Sequence, residues 1–123
     1  MKTAEFVVSY LHMNRRCATC KKLEEYASEA VSTGFAEQLG DGSLVWQIAN
    51  FEEEPNKHLA AEYGLYTQAL VVTQIQDGKV VRWKNLKEIW PLVNNRDGFF
   101  SYVQSQIKAF MEPTEKASPE LEK

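Results

Sequence analysis

The chain has 123 residues, 44% of them hydrophobic and 25% charged, with a net charge of −3. That length argues for one domain with enough apolar material to form a core without a disulfide framework or a structural metal. The acidic balance offers no footprint for nucleic acid or an anionic membrane, and no apolar run approaches the roughly 18 residues that a bilayer span needs. The opening Met1-Lys2-Thr3-Ala4-Glu5 puts an acid where a secretory leader requires apolar residues, so a cytoplasmic, monomeric protein is expected.

Residues 5–11, Glu-Phe-Val-Val-Ser-Tyr-Leu, are β-branched and aromatic and predict a strand buried on both faces. A polar loop over 12–16 leads into a helix from Cys17 or Ala18 to Thr33. There Leu23, Tyr26, Ala27, Ala30 and Val31 recur at steps of three and four, and Gly34 is expected to stop it. A turn at 40–43 precedes a second strand over 44–49.

Pro55 suits the first turn of a short helix that runs to Tyr63 and ends at Gly64. A third strand covers 69–75. Asp77-Gly78 is a hairpin signal, and residues 80–83 return antiparallel as a fourth strand. Residues 85–90 form a helical turn that Pro91 interrupts. Asp97 is expected to cap a last helix with Phe99, Phe100, Val103, Ile107, Phe110 and Met111 along one face. The segment 113–123 has little to bury and is expected to be a disordered, acidic tail.

The order is βαβα, then a hairpin, then a helix. A strand-helix-strand crossover demands a parallel pair, and the hairpin adds antiparallel strands to the same sheet. The expected fold class is therefore α/β, a mixed four-stranded sheet with helices on both faces.

The only two cysteines stand three apart in Arg15-Arg16-Cys17-Ala18-Thr19-Cys20-Lys21. A strand precedes them and a helix follows, so Cys17 falls at a helix N-terminus. Unpaired backbone N–H groups and the positive end of the helix dipole favour a thiolate there. Arg15, Arg16, Lys21 and Lys22 add positive potential. Cys20 lies one turn further in, placed to attack a mixed disulfide formed at Cys17. Three readings of the pair remain open: a redox dithiol, a soft-metal site, or core filler. A metal site would draw on Cys17, Cys20 and His12, since His12 and His58 are the only histidines. His12 could alternatively orient or protonate the thiols. His58, the run Glu52-Glu53-Glu54, and Trp46, Trp83 and Trp90 have plain structural readings: solvent, helix dipole, and core or rim.

The strand Phe6-Val7-Val8-Ser9-Tyr10-Leu11 followed by Arg16-Cys17-Ala18-Thr19-Cys20-Lys21 resembles the thioredoxin strand and its W-C-G-P-C-K motif. Glu62-Tyr63-Gly64-Leu65 is similar to that family's K-Y-G-I, and Leu70 to Ile75 with Asp77-Gly78-Lys79 is similar to its next strand and N-G turn. The resemblance covers about residues 5–112 and implies a thioredoxin-like three-layer sandwich over 1–112 in a minimal βαβαββα form. It implies thiol–disulfide redox activity, with Cys17 as nucleophile and Cys20 as resolving thiol. It requires no cofactor, and its partners are protein or small-molecule thiols and disulfides plus an external reductase.

The resemblance also implies that Thr67, Gln68 and Ala69 face the dithiol and bind an extended substrate through their backbone. Arg16 replaces the motif's aromatic residue and favours an anionic or small polar partner, with Arg15 and His12 in support. Two departures stand out. No proline occurs in Tyr66-Thr67-Gln68-Ala69-Leu70, where thioredoxins carry a cis-proline, and Leu11 stands where they bury an aspartate. A non-proline cis bond costs about 3 kcal/mol, so trans peptides are expected. Loss of that proline weighs toward the metal reading.

More narrowly, His12, Arg16 and Cys17-x-Thr19-Cys20 resemble a bacterial thioredoxin-like family linked to arsenic-resistance operons and named as a nitrophenyl-compound nitroreductase subunit. That likeness implies thiol redox or arsenite handling by the vicinal thiols, or a non-catalytic subunit. No dinucleotide fingerprint supports the nitroreductase name.

Overall fold

A computed structural model describes residues 5–14, 17–65 and 67–112. Arg15, Arg16, Tyr66 and the expected tail at 113–123 lie outside the described residues. Four strands, β1 (Phe6–His12), β2 (Leu44–Asn50), β3 (Ala69–Gln76) and β4 (Lys79–Asn85), form one sheet in the order β2-β1-β3-β4. β1 runs parallel to β2 and antiparallel to β3, and β3 pairs antiparallel with β4. Four helices accompany the sheet: α1 (Ala18–Gly34), α2 (Ala36–Asp41), α3 (Lys57–Tyr63) and α4 (Arg96–Met111). The result is the expected α/β architecture, a mixed four-stranded sheet between helical layers.

The period-2 alternation of strands splits the sheet into two unlike faces. Phe6, Val8 and Tyr10 of β1, with Leu70 and Val72 of β3, pack under α1 and α4. The α1 side of that core consists of Leu23, Ala27, Ala30 and Val31, four of the five residues its periodicity predicted, and Tyr26 is partly buried beside them. Phe99, Val103, Ile107 and Phe110 of α4 complete it. On the opposite face Leu11, Ala69 and Val71 pack with Phe51 and Tyr63, and Leu59 and Ala60 of α3 rest against them. β1 is central and covered on both sides, which is why its sequence is an almost unbroken apolar run.

Two predicted signals act as expected. Gly64 takes the left-handed conformation, φ 63°, that ends α3. Asp77 and Gly78 both have positive φ, 54° and 77°, which matches a two-residue hairpin turn whose twist suits the flanking strands.

Others are corrected. Asp97 is not the cap of α4. Asn95 is, and its side chain accepts from the Gly98 N–H at 3.0 Å. Gly34 is the last residue of α1, but it has no left-handed conformation. A Cβ there would come within 2.9 Å of the Gln104 side chain, so glycine permits close approach of α1 and α4. The chain then bends at Phe35 into the short α2, an element with no sequence signal of its own. The expected helix from Pro55 begins as a 3-10 turn over Glu54–Asn56, and β4 is longer than predicted, reaching Asn85. Within β4 a bulge opposite Gln74 and Ile75 leaves Val81 unpaired in the register.

Candidate functional site

The polar loop after β1 delivers Cys17 to the start of α1. Its backbone is extended, φ −86° and ψ 171°, and it serves as the N-cap. The cap position ordinarily favours a side-chain oxygen that accepts from the third helical N–H. Here sulfur does so: the Cys20 N–H donates to Cys17 Sγ at 3.2 Å. No acidic residue occupies the first turn of α1, so nothing there offsets the positive end of the helix.

Cys17 is exposed, whereas Cys20 is 6% exposed. A disulfide joins them, with Cα atoms 5.0 Å apart. The three-residue spacing inside the first helical turn brings the sulfurs together. The arrangement has an outer sulfur that a partner can reach and an inner one that only its neighbour can.

Tyr10 is a site residue that sequence reasoning missed. It is fully buried on the α1 face of the sheet, and its hydroxyl donates to the Cys20 carbonyl at 2.8 Å. A signal for it exists in the sequence. Alternation puts Tyr10 with Phe6 and Val8, and a buried phenol needs a polar partner at the strand end.

His12 is half-buried, its ring stacked 6.4 Å from that of Tyr10, and its Nδ1 lies 2.9 Å from the Met13 carbonyl oxygen. A carbonyl only accepts, so Nδ1 carries the proton. Among the described residues no three His, Cys, Asp or Glu side chains gather as a metal site would require. The three-ligand set Cys17, Cys20 and His12 is therefore not assembled, because His12 turns to its own loop and to Tyr10. His58 is exposed on α3.

Glu52 acts locally. It accepts from the Asn14 N–H at 2.7 Å, while Asn50 Nδ2 donates to Asn14 Oδ1 at 2.8 Å. These bonds pin the loop before the dithiol to the loop after β2. Lys22 reaches toward α4, where its ammonium contacts Asn94 Oδ1 at 3.4 Å. Arg15 and Arg16 lie outside the described residues.

The segment 67–69 enters β3 beside the end of β1, with Ala69 opposite Leu11. No described peptide bond is cis. Thr67 is half-buried, and Gln68 and Ala69 are buried. The Gln68 carbonyl accepts from Trp90 Nε1 at 3.2 Å, so Trp90 holds this segment from the far side. All three residues line a cleft of about 530 Å³ whose walls include neither cysteine.

The chain has a mixed four-stranded α/β fold with a cysteine pair at the start of its first helix. The structure is similar to a thioredoxin from Fasciola hepatica, with a TM-score of 0.44 and 17% identity over 81% of this chain and 83% of that one. It is likewise similar to a thioredoxin from Thermus thermophilus, with a TM-score of 0.47 and 15% identity over 84% of this chain and 74% of that one. No family model matches the chain, and no curated protein sequence does. The narrower arsenic-operon resemblance consequently gains no support.

Two tyrosines are perturbed. Burial, reinforced by the nearby Glu62 charge, pushes the Tyr63 phenol above its ordinary value of 10.0. Burial likewise raises Tyr102, partly offset by a hydrogen bond with the Glu88 backbone. No described helix is long and apolar enough to cross a membrane.

Proposed function

We propose that the protein is a thiol–disulfide redox protein in which Cys17 is the attacking thiol and Cys20 the resolving one. The observation that supports this most directly is the bond from the Cys20 N–H to Cys17 Sγ at the N-cap of α1, on an exposed sulfur with a buried mate. An N–H donated to sulfur stabilises the thiolate over the thiol, and the helix terminus acts in the same direction.

In the reducing direction the Cys17 thiolate attacks one sulfur of a partner disulfide. An S–S bond forms to Cys17, and the partner's other sulfur leaves as a thiolate that takes up a proton. Cys20 loses its proton to solvent and attacks Cys17 Sγ. The Cys17–Cys20 disulfide forms, and the partner departs with both sulfurs reduced. Two electrons have moved. An external dithiol or glutathione-type reductant returns them to the pair.

Arg15 and Arg16, adjacent in sequence to Cys17, would favour an acidic or small polar partner. The segment Thr67, Gln68 and Ala69 would contribute main-chain contacts to an extended substrate, with the Gln68 carbonyl limited to its second lone pair by Trp90. The chelation alternative now has only the two sulfurs as ligands, which suits a two-coordinate soft ion rather than zinc.

The deciding experiment combines two substitutions. Cys17→Ser is expected to abolish reduction of a protein disulfide such as that of insulin, while Cys20→Ser is expected to trap partners as mixed disulfides that reductant releases. Full activity in Cys17→Ser, or no trapped species in Cys20→Ser, would overturn the reading.

A further inference from the structure

Beside the exposed sulfur a groove runs along the surface between α1 and α4. Ala18, Lys21, Lys22, Glu25 and Tyr26 of α1 line it together with Arg96 of α4. Ala18 follows Cys17 directly, and the Lys21 N–H donates to the Cys17 carbonyl at 3.0 Å, so Lys21 stands one turn beyond the outer cysteine. Glu25 stands one turn beyond Lys21. Cys17, Ala18, Lys21 and Glu25 are all exposed, so this strip of α1 is open to a partner.

The charges along the groove differ in how far they are already satisfied. At its far end Glu29 and Arg96 pair at 3.3 Å and cancel. Lys22 contacts neutral groups, Asn94 Oδ1 at 3.4 Å and the Tyr26 ring with its centroid 5.7 Å away, so its charge stands. Lys21 and Glu25 form no ion pair with any described residue. Arg15 and Arg16 precede Cys17 in the sequence, and removing these two with Lys21 and Lys22 from the net charge of −3 leaves −7. This end of α1 is thus opposite in sign to the rest of the chain. Outward from Cys17, the uncancelled charges are positive at one turn and negative at two.

We infer that the groove selects, among disulfide partners, a polypeptide whose cysteine has a carboxylate about two residues away and a cation about four residues away. The inference deepens the redox reading and rests on it. Four helical residues advance about 6 Å and two extended residues about 6.6 Å. An extended segment anchored at Cys17 therefore passes Lys21 at its second residue and Glu25 at its fourth. A carboxylate at the first position meets Lys21 and Lys22, and a Lys or Arg at the second meets Glu25. The reversed order puts like charges together at both places. The order of charges decides, not their sum, which separates this device from the general pull of Arg15 and Arg16 on acids.

The probe is a pair of peptides with blocked ends, Lys-Ala-Glu-Ala-Cys-Ala-Glu-Ala-Lys and Glu-Ala-Lys-Ala-Cys-Ala-Lys-Ala-Glu, each joined to 2-mercaptoethanol as a mixed disulfide. Both are neutral and palindromic, so neither bulk attraction nor strand direction separates them. Pre-reduced protein is mixed with each for a single turnover. Cys17 attacks the peptide sulfur, mercaptoethanol leaves as a thiolate and is protonated, and Cys20 displaces the peptide thiol as the Cys17–Cys20 disulfide forms. Rates are divided by those with dithiothreitol, which removes differences in intrinsic reactivity. At about 0.02 M salt the first peptide is expected to react about fivefold faster than the second, and the ratio is expected to shrink toward unity at about 0.5 M.

The double substitution Lys21→Glu with Glu25→Lys keeps the net charge, and both positions are exposed. It is expected to bring the ratio to unity or below. Lys21→Gln alone is expected to lower it about twofold and serves if the double variant fails to fold. Hydroxyethyl disulfide, which has no charge to read, reports on the dithiol itself. Equal corrected rates for the two peptides, with hydroxyethyl disulfide still reduced, would overturn this inference alone. So would a preference that persists in the doubly substituted protein. No reduction of hydroxyethyl disulfide or of either peptide would overturn the redox reading, and this inference with it.

Discussion

The two faces of the sheet are built to different standards. One is roofed by α1 and α4, helices of 17 and 16 residues, over a continuous core that extends from Phe6 to Phe110. The other has α3, of 7 residues, over a small cluster centred on Leu11 and Val71. Apolar burial stabilises in proportion to area, so the first face supplies most of the folding free energy. The thin face is where Trp83 stays exposed and where a cleft opens beside Tyr63 and Trp83. The dithiol sits at the junction: its helix belongs to the thick layer, and its loop is tied by Asn14 and Glu52 to the loop that leads to the thin one.

The largest test of this contrast is a pair of truncations measured by equilibrium denaturation. Phe99→Ala on the thick face should lose about 4 kcal/mol, whereas Val71→Ala on the thin face should lose about 2 kcal/mol. Equal losses would mean that the two layers contribute alike. Next, Tyr10→Phe removes the bond from sheet to Cys20 carbonyl and should lower stability by about 1 kcal/mol. The same variant should narrow the gap in alkylation rate between Cys17 and Cys20, since the inner cysteine is then held less firmly.

Asn95→Ala, which deletes the cap of α4, should lose about 1 kcal/mol, while Asp97→Ala should lose less. The smallest effect concerns the thin face at alkaline pH. The folded protein holds Tyr63 neutral past its ordinary pKa of 10.0, so the associated stability is present below that value and falls as pH rises beyond it. Tyr63→Phe should flatten that decline in part, the remainder belonging to Tyr102.

What is legible in the sequence is what local chemistry decides. The hydrophobic period of α1, the left-handed stop at Gly64 and the Asp77-Gly78 turn need only their own neighbours, and the structure has them where the sequence puts them. The cysteine spacing behaves the same way, because three residues within a helical turn bring two sulfurs together whatever surrounds them.

The features that escape a sequence reading depend on distant partners. Gly34 looks like a stop signal, yet its reason is the Gln104 side chain, far along the chain on α4. Asn95 and Asp97 are both good cap residues, and only the backbone path into α4 selects the first. His12 is a reasonable ligand by proximity in sequence, but its ring is turned toward Tyr10 and the Met13 carbonyl. The burial of Gln68 cannot be read from a polar stretch that looks like an ordinary loop.

The unpaired Val81 in β4 also bears on how copies of this molecule meet. Its strand is a sheet border that carries Lys79, Arg82 and Lys84, and the irregularity interrupts the row of main-chain groups that another polypeptide would need for zippering on. The opposite border, β2, reads Leu-Val-Trp-Gln-Ile-Ala-Asn, with no charge and with Ile48 46% exposed. Self-association in crowded or partly melted preparations should therefore start from β2, and a lysine in place of Ile48 is the simplest guard against it.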